Sequence, residues 1–549
     1  MKNFSPWVNG KPAIENRVVH IDLKGPKIPF ESLKKFLKLL ARWGINGVLV
    51  EYEHRFPFLP LKYQFPESER YTKSQIIELV KFADDNGIQW IPLFQTFGHL
   101  EYLSRVKGTS CMFERHDYIQ QICPLNEDAR KYIERLIEIA CEFHSSSKYI
   151  HVGQDETFQL GYCPECRKKV GKIGRMNFYL EHTMWVWNLV KKCGKIPMFW
   201  NDMFFTENNI KLLSIIDPDV IPVVWEYQDI GKSSYFVNIG GTRPTKNLSR
   251  NPYESIVNAR PVVSFVENGR FFEDLPEEIK NLIKVDENGY PESFSQVKIT
   301  AKYNKNFWAT CAVYNCSDML FMPDFVRGVL NPVSMCDTVC KLSGKGIIAS
   351  SWARAHSYAP ISPPWTLTLY NLAYFAFASY TGKTKPCDLK EISGVIADEI
   401  NMPSKFGEFS LSDILWVISN QAPGPGVIGR VRNLENILIC LNGKNITGIF
   451  GKGLLLSIEA ETLYTKLLFL QEEARWWNSA KKQIPSMIQK EMRQRFEKIK
   501  KNIRNLKSRA KQYYVENVGD KKSFETWWKG LFEIDLYLTE KAINYLKNF

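Results

Sequence analysis

The sequence predicts an α/β protein, a (β/α)8 barrel followed by a C-terminal α-helical domain, and three observations carry that prediction. Short β-branched or aromatic segments alternate with amphipathic helical segments from about residue 17 to 378. Nearly every such strand ends in an ionisable or aromatic residue, as in a barrel that gathers its chemistry at the C-terminal ends of parallel strands. Past about residue 385 the alternation gives way to helix alone.

Eight strands are expected, in order Val18 to Asp22, Gly47 to Glu51, Gln89 to Phe94, Tyr149 to Val152, Ile196 to Trp200, Ile221 to Trp225, Phe307 to Ala312 and Gly346 to Ser350. Their ends carry Asp22, Glu51 with Glu53, His99 slightly beyond the third strand, Asp155-Glu156, Asn201-Asp202, Tyr227, Tyr314 and Trp352. Leu33 to Trp43, Ser74 to Asp85, Ala129 to Phe143 and Met176 to Lys191 repeat apolar residues at helical spacing. The connection from about 230 to 305 is too long for a plain crossover and is expected to hold an insertion over the barrel mouth. The expected domains are a barrel over 1–385 and a helical domain over 386–549. In the second, Ile488, Met492, Phe496, Ile499, Ile503, Leu506, Ala510 and Tyr513 step by three and four with Lys and Arg between them, until Gly519. Trp476-Trp477 and Trp527-Trp528 fall on flanking helices.

A chain of 549 residues exceeds what one hydrophobic core usually serves. Its 13% aromatic content, with 15 tryptophans, suits grooves lined by rings, and such faces fit sugars. The start, Met1 to Trp7, has no apolar signal core, and no stretch approaches the roughly 18 apolar residues of a membrane span. A soluble, cytoplasmic or nucleocytoplasmic protein is expected, not secreted and without a membrane partner. The 12 cysteines are scattered rather than densely spaced, so most are expected to be reduced thiols. The net charge of +13 falls largely in the C-terminal third. A non-catalytic protein that binds nucleic acid or an acidic membrane through the basic helix is therefore an alternative. The apolar stripe on that helix favours packing with a solvated basic outer face, so no nucleic-acid partner is expected. Oligomeric state stays open, a homodimer included.

The run His151-Val152-Gly153-Gln154-Asp155-Glu156-Thr157 breaks a hydrophobic strand at glycine and presents two adjacent carboxylates. Side by side they raise each other's proton affinity, so one is expected to stay protonated near neutral pH, a general acid beside a fixed negative charge. An Asp-Glu pair is ordinarily an exposed strand end; the apolar approach, the glycine and the aromatic surroundings favour chemistry here. Cys163-Pro164-Glu165-Cys166 is half of a tetrahedral metal site, and Cys123 is a candidate for part of the rest. The default expectation is a loop with reduced thiols and no metal. No phosphate loop, dinucleotide fingerprint or serine elbow is evident, so no cofactor is expected.

The segments NRVVHIDLKG from Asn16, NGVLVEYEHRFPF from Asn46, IPLFQTFGHLEY from Ile91, CPLN from Cys123, HVGQDETFQLG from His151, FWND from Phe199 and VVWEY from Val223 together resemble family 20 glycoside hydrolases. The likeness is greatest to the hexosaminidase D branch and spans about residues 16 to 230, returning at the last two strands. It implies a soluble retaining exo-β-N-acetylhexosaminidase that takes terminal β-linked GalNAc or GlcNAc. The nucleophile would be the substrate's own 2-acetamido oxygen, through an oxazolinium ion. By resemblance Glu156 protonates the leaving oxygen and later deprotonates water, while Asp155 orients the acetamido N–H. Arg17 matches an arginine that grips the sugar's 3- and 4-hydroxyls, with a salt-bridged barrel-base arginine as its structural alternative. Asp22 is a candidate to orient Arg17 or His99, His99 to support the acid, and Asp202 to bind a hydroxyl or a basic neighbour. Trp200, Trp225, Trp308 and Trp352 are candidate walls of the −1 subsite. Tyr227 and Tyr314 both qualify as the tyrosine that stabilises the oxazolinium, with Tyr314 favoured slightly by strand order.

One departure is that Trp352 is followed by Ala353-Arg354-Ala355-His356 where lysosomal relatives carry a glutamate. That leaves galacto against gluco preference open. The runner-up enzyme is a barrel glycosidase of other specificity using separated carboxylates such as Glu51 and Glu156.

Overall fold

The structure is a computed structural model describing residues 4–205, 209–231, 236–238, 242–244, 272–287, 289–315, 321–354, 364–419, 427–479 and 485–546. Eight parallel strands close into a barrel: β1 Asn16–Asp22, β2 Gly47–Glu51, β3 Gln89–Leu93, β4 Tyr149–His151, β5 Ile196–Trp200, β6 Ile221–Trp225, β7 Trp308–Tyr314 and β8 Gly346–Ser351. Each strand pairs with its neighbour in the chain, and β8 returns to β1 with Asn16 opposite Gly346. The eight expected strands are all present, and β7 runs two residues further than expected. The β7–β8 register slips between Ser350 and Ser351, so that Ser351 faces Tyr314.

Side chains alternate along each strand, so β1 turns Val18, His20 and Asp22 inward and Arg17, Val19 and Ile21 outward. Val18, Leu49, Ile91, Tyr149, Met198, Val223, Trp308 and Ile348 fill the interior with apolar matter. One or two rungs further along the strands the inward residues are His20, Asp22, Glu51 and His151, all buried. The interior therefore changes from apolar packing to buried charge as it nears the C-terminal mouth. A ring of helices covers the outside, beginning with Phe30–Arg42, Lys73–Asp85, Glu127–Phe143 and Arg175–Lys192. Thr72 with Gln75 forms a capping box on the second, and Asn126 caps the third, each satisfying amide groups that the helix itself leaves unpaired.

Much of the expected insertion over 230–305 lies outside the described residues. Its described parts include a two-stranded ribbon, Phe236–Asn238 with Thr242–Pro244, and the helix Ser295–Tyr303 that leads into β7.

Beyond residue 385 the chain is mainly helical, with the helices Ile449–Ser479 and Ser486–Asn517 the longest. The expectation of helix alone fails at Lys405–Phe406 and Phe409–Ser410, a small antiparallel pair turning through Gly407 at φ 68°. The long basic helix buries Met492, Phe496, Ile499, Ile503, Leu506, Ala510 and Tyr513, the stripe expected from sequence. Several of its cations meet acids of neighbouring helices, among them Arg495 with Glu473, Lys500 with Glu540 and Lys511 with Glu525. Tyr513 ties this region to the barrel, its hydroxyl lying 2.5 Å from Thr366 Oγ1 and 2.9 Å from the Ile449 carbonyl. Among the described residues no helix is long and apolar enough to cross a membrane.

Candidate active site

Strand β4 is only three residues long, yet backbone hydrogen bonds hold the chain on both sides as it leaves the barrel. Phe94 N–H donates to the His151 carbonyl at 2.9 Å, Val152 N–H to Met198 at 2.8 Å and Trp200 N–H to Gly153 at 3.0 Å. Gly153 then turns at φ 70°, where a Cβ would lie 1.8 Å from Gln95 Oε1, so both conformation and space demand glycine. Gln154 follows at φ 79° and Glu156 at φ 48°, with His99 facing them at φ 55°. Left-handed non-glycine residues are costly and persist where their surroundings hold them. The holding groups are on hand: Tyr179 Oη donates to the Gln154 carbonyl, Trp187 Nε1 to Gln154 Oε1, and Glu156 N–H to Asp202 Oδ2 at 3.0 Å. Gly98 lets the His99 loop approach so closely that a Cβ there would lie 2.5 Å from the Asp155 carbonyl oxygen.

The turn projects Asp155 and Glu156 around one imidazole. His99 Nε2 lies 3.3 Å from Asp155 Oδ2 and 3.2 Å from Glu156 Oε2, and Nδ1 is 3.7 Å from Glu101 Oε1. Burial disfavours the imidazolium, but the charge of Asp155 and the bonds to three carboxylates outweigh it and hold His99 well above its ordinary range. Burial alone would likewise raise Glu156, yet the His99 hydrogen bond and charge bring it below the usual carboxylate value. The expectation that adjacency keeps one of the pair protonated therefore fails at Glu156. The His99 imidazole stands between the Asp155 and Glu156 side chains. Asp202, in contrast, is pushed well above its ordinary value by burial and then by the charge of Asp155. Asp155 is buried and its Oδ1 has no hydrogen-bond partner among the described residues, whereas the Glu156 side chain is 40% exposed. One carboxylate is deep and the other stands at the rim.

Aromatic rings line the rest of the mouth. Trp352 lies 4.7 Å from the His20 ring, 6.3 Å from Trp200 and 6.5 Å from Tyr227, which itself stacks on Trp225 at 5.3 Å. Tyr227 feels the charge of Asp155, and burial pushes its phenol well up, so it stays a neutral hydroxyl. His151, under Trp200 at 4.3 Å, is lowered by burial to about 3 and is neutral; its Nδ1 accepts the Gly153 N–H. Lys24, 5% exposed, lies 2.6 Å from Glu51 Oε2 and 3.3 Å from Asp22 Oδ2, with its ammonium 4.6 Å from the Trp352 ring centre. Burial would lower this ammonium, but Asp22 and Glu51 raise it above the ordinary lysine value.

Residues 58–239 match the profile of the family described as Glycosyl hydrolase family 20, catalytic domain. The chain is similar to Hexosaminidase D of Bos taurus, 28% identical over 218 residues that make up 38% of this chain and 62% of that protein. It is also similar to Hexosaminidase D of Homo sapiens, 28% identical over 40% of this chain and 46% of the relative. The match thus spans less than two thirds of either relative. A beta-N-acetylhexosaminidase structure from Bacteroides fragilis aligns at 14% identity over 71% of each chain, with a TM-score of 0.47.

Within the barrel, His99, Asp155, Glu156, Trp200, Asp202, Trp225, Tyr227 and Trp352 gather at the mouth as expected from sequence. Two residues, Arg17 and Trp308, do not. Arg17 lies at the opposite end of β1, pointing outward, where it donates to the carbonyls of Gly44, Ile14 and Glu15. It cannot reach a sugar at the mouth; it is a barrel-base arginine, though bound to carbonyls rather than in a salt bridge, and burial lowers it to about 10. Trp308 opens β7 and packs edge-on against Tyr149 at 5.4 Å in the apolar interior, so it is core and not a subsite wall. Tyr314, past the register slip, borders a cavity lined by Val19, Ile21, Phe36 and Trp365 and also by His20, Asp22 and Trp352 of the mouth, while Tyr227 stacks on Trp225, so both tyrosines stay candidates.

Two other partners differ from expectation. Asp22 holds neither Arg17 nor His99 but accepts from the amides of Lys24 and Ala353 and pairs with the Lys24 ammonium. Asp202 meets the Glu156 amide rather than a basic side chain. Lys24, Glu101 and Gln95 were not singled out from sequence. The one signal for Lys24 was its place two residues after a strand-end aspartate, since lysines are seldom buried without such a partner.

Proposed function

We propose that the protein is a retaining exo-β-N-acetylhexosaminidase working through the substrate's acetamide. The observation that carries the reading is the division of labour within the adjacent pair: a deep Asp155 whose Oδ1 is unsatisfied among the described residues, and an accessible Glu156 one residue along. A 2-acetamido N–H donated to Asp155 Oδ1 satisfies that buried acceptor and turns the acetamide oxygen toward C1. As that oxygen forms its bond to C1, Glu156 protonates the glycosidic oxygen and the aglycone leaves. Asp155 then stabilises the positive charge spread over the oxazolinium ring. Water, deprotonated by Glu156, opens the ring at C1 on the face the aglycone left, giving retention.

Tyr227 or Tyr314 would offer a neutral hydroxyl to the oxazolinium oxygen, and Trp225 and Trp352 would offer aromatic faces to the pyranose and its acetamido methyl. Glu156 must gain a proton before it acts as an acid. Substrate entry that draws His99 away from Glu156 removes the interaction that keeps it ionised. The separated-carboxylate alternative is disfavoured because Glu51 is 1% exposed, held below the carboxylate range by Lys24 and His20 against the cost of burial, and bound to both. The described cysteines form no disulfide, which suits a cytoplasmic location as part of this proposal.

The test is hydrolysis of aryl N-acetyl-β-glucosaminide and galactosaminide, with the anomer released followed by NMR. Retention is expected, and Glu156→Gln is expected to lower kcat by about 10²- to 10⁴-fold, the usual scale for losing a general acid. Full activity in that variant, or inversion, overturns the assignment.

A further inference from the structure

Outside the catalytic pair, four metal-ligating side chains converge from two loops. Cys123 closes the β3-to-helix connection that also carries His99. Cys163 and Cys166 open the helix Pro164–Ile173, just after Asp155 and Glu156. Glu114 comes from the hairpin-like bend between Phe113 and Ile122. One ligand atom from each of the four lies within 4.8 Å of the others. We infer that Glu114, Cys123, Cys163 and Cys166 bind a structural zinc ion that pins the His99 loop to the Asp155-Glu156 loop.

The geometry has the right scale. A tetrahedral zinc with Zn–S bonds of about 2.3 Å places its sulfurs roughly 3.8 Å apart. Cys123 Sγ is 3.7 Å from Cys163 Sγ and 3.4 Å from Cys166 Sγ, too far for bonded sulfurs at about 2.05 Å and close to the edges of that tetrahedron.

The carboxylate supplies an independent sign. Glu114 is 3% exposed; one oxygen accepts the Cys163 N–H at 2.8 Å, while Oε1 is buried with no N–H or O–H donor among the described residues. A buried carboxylate oxygen facing three sulfurs is poorly served by protein alone and well served by a cation. The helix start also fits. Cys163 is the N-cap and Cys166 the third helical residue, which places both sulfurs on one side, and the Cys166 amide donates to Cys163 Sγ at 3.3 Å. Such amide-to-sulfur bonds and the helix N-terminus offset the negative charge of three thiolates and a carboxylate.

Each thiol releases its proton to solvent as its Zn–S bond forms, and no electron moves. Four protein ligands close the coordination sphere, and the thiolate-rich set favours zinc over magnesium or calcium. The crosslink spans two loops otherwise joined by a few hydrogen bonds, such as Gln159 N–H to Gln121 Oε1 at 2.9 Å and Gln159 Nε2 to the Tyr118 carbonyl at 3.0 Å. Metal would thus act by positioning, and the site stands whether or not the glycosidase reading does.

The experiment measures metal in full-length protein purified from zinc-supplemented medium under reducing conditions without chelator. About one zinc per chain is expected in the wild type, falling to about a tenth or less in the Cys123→Ser/Cys166→Ser double variant. As a readout independent of that variant's folding, wild-type protein is also stripped and refilled with Co²⁺. A thiolate-to-cobalt charge-transfer band with tetrahedral visible bands is expected, and Glu114→Gln should keep the charge transfer but weaken binding by about tenfold or more. Absence of both zinc and the cobalt signature in reduced wild type overturns the inference, as does a disulfide between Cys123 and Cys163 or Cys166 in the freshly purified protein.

Discussion

His99 holds the Glu156 carboxyl below its ordinary value, its Nε2 lying 3.2 Å from Glu156 Oε2 and 3.3 Å from Asp155 Oδ2. Acid catalysis needs Glu156 protonated, so the alkaline limb of kcat/KM follows its pKa, which His99 keeps low. His99→Gln removes the imidazolium, and the alkaline limb is expected to move to higher pH while the maximal rate falls. A pH profile that does not move separates His99 from the acid. The same contact bears on stability. His99 is raised when folded, so its contribution is complete below about pH 6.5 and fades as pH climbs through the folded value; Glu156 is lowered, so its contribution is complete above about pH 4.3 and fades as pH falls. Denaturation of wild type should therefore be hardest between those limits, and His99→Gln should flatten the dependence. Sequence showed the pair but not the imidazolium between them, since nothing in a Phe-Gly-His run says that a left-handed residue will turn its ring onto a neighbouring loop.

At the scale of elements, the turn after β4 turns fold into site. Gly153→Ala must put a Cβ into Gln95 at φ 70°, and a loss of at least about 2 kcal/mol in urea denaturation is expected along with a large fall in kcat. Normal stability and activity would mean that the turn relaxes freely. The Lys24 cluster is the second device at this scale, joining β1, β2 and the Trp352 segment. Lys24→Met leaves Asp22 and Glu51 buried without their cation, and about 3–5 kcal/mol of destabilisation is expected by chemical denaturation. A change within about 0.5 kcal/mol would show that the cluster is neutralised otherwise. The strands were legible because short apolar runs end in polar residues at regular intervals. Arg17 was misplaced for a physical reason: a motif match does not reveal that an odd-numbered β1 residue at the strand start faces outward at the barrel's far end.

Over the whole molecule, apolar periodicity foretold both the closed barrel and the long helix Ser486–Asn517, whose buried stripe matched residue for residue from Met492 to Tyr513. What sequence left dark were contacts between distant segments: Tyr513 with Thr366, Lys24 with Glu51, and Glu114 with the cysteines. These depend on closure of the barrel and packing of its loops, which local pattern does not encode. In the proposed function, the adjacent Asp155 and Glu156 at an aromatic mouth call for a nucleophile carried by the substrate. The direct measurement compares kcat/KM for two aryl β-glycosides identical except for a 2-acetamido or a 2-hydroxyl group. A preference of at least about 10³-fold for the acetamido sugar is expected, within the range that correct positioning of an internal nucleophile supplies. Equal rates on the two would contradict it.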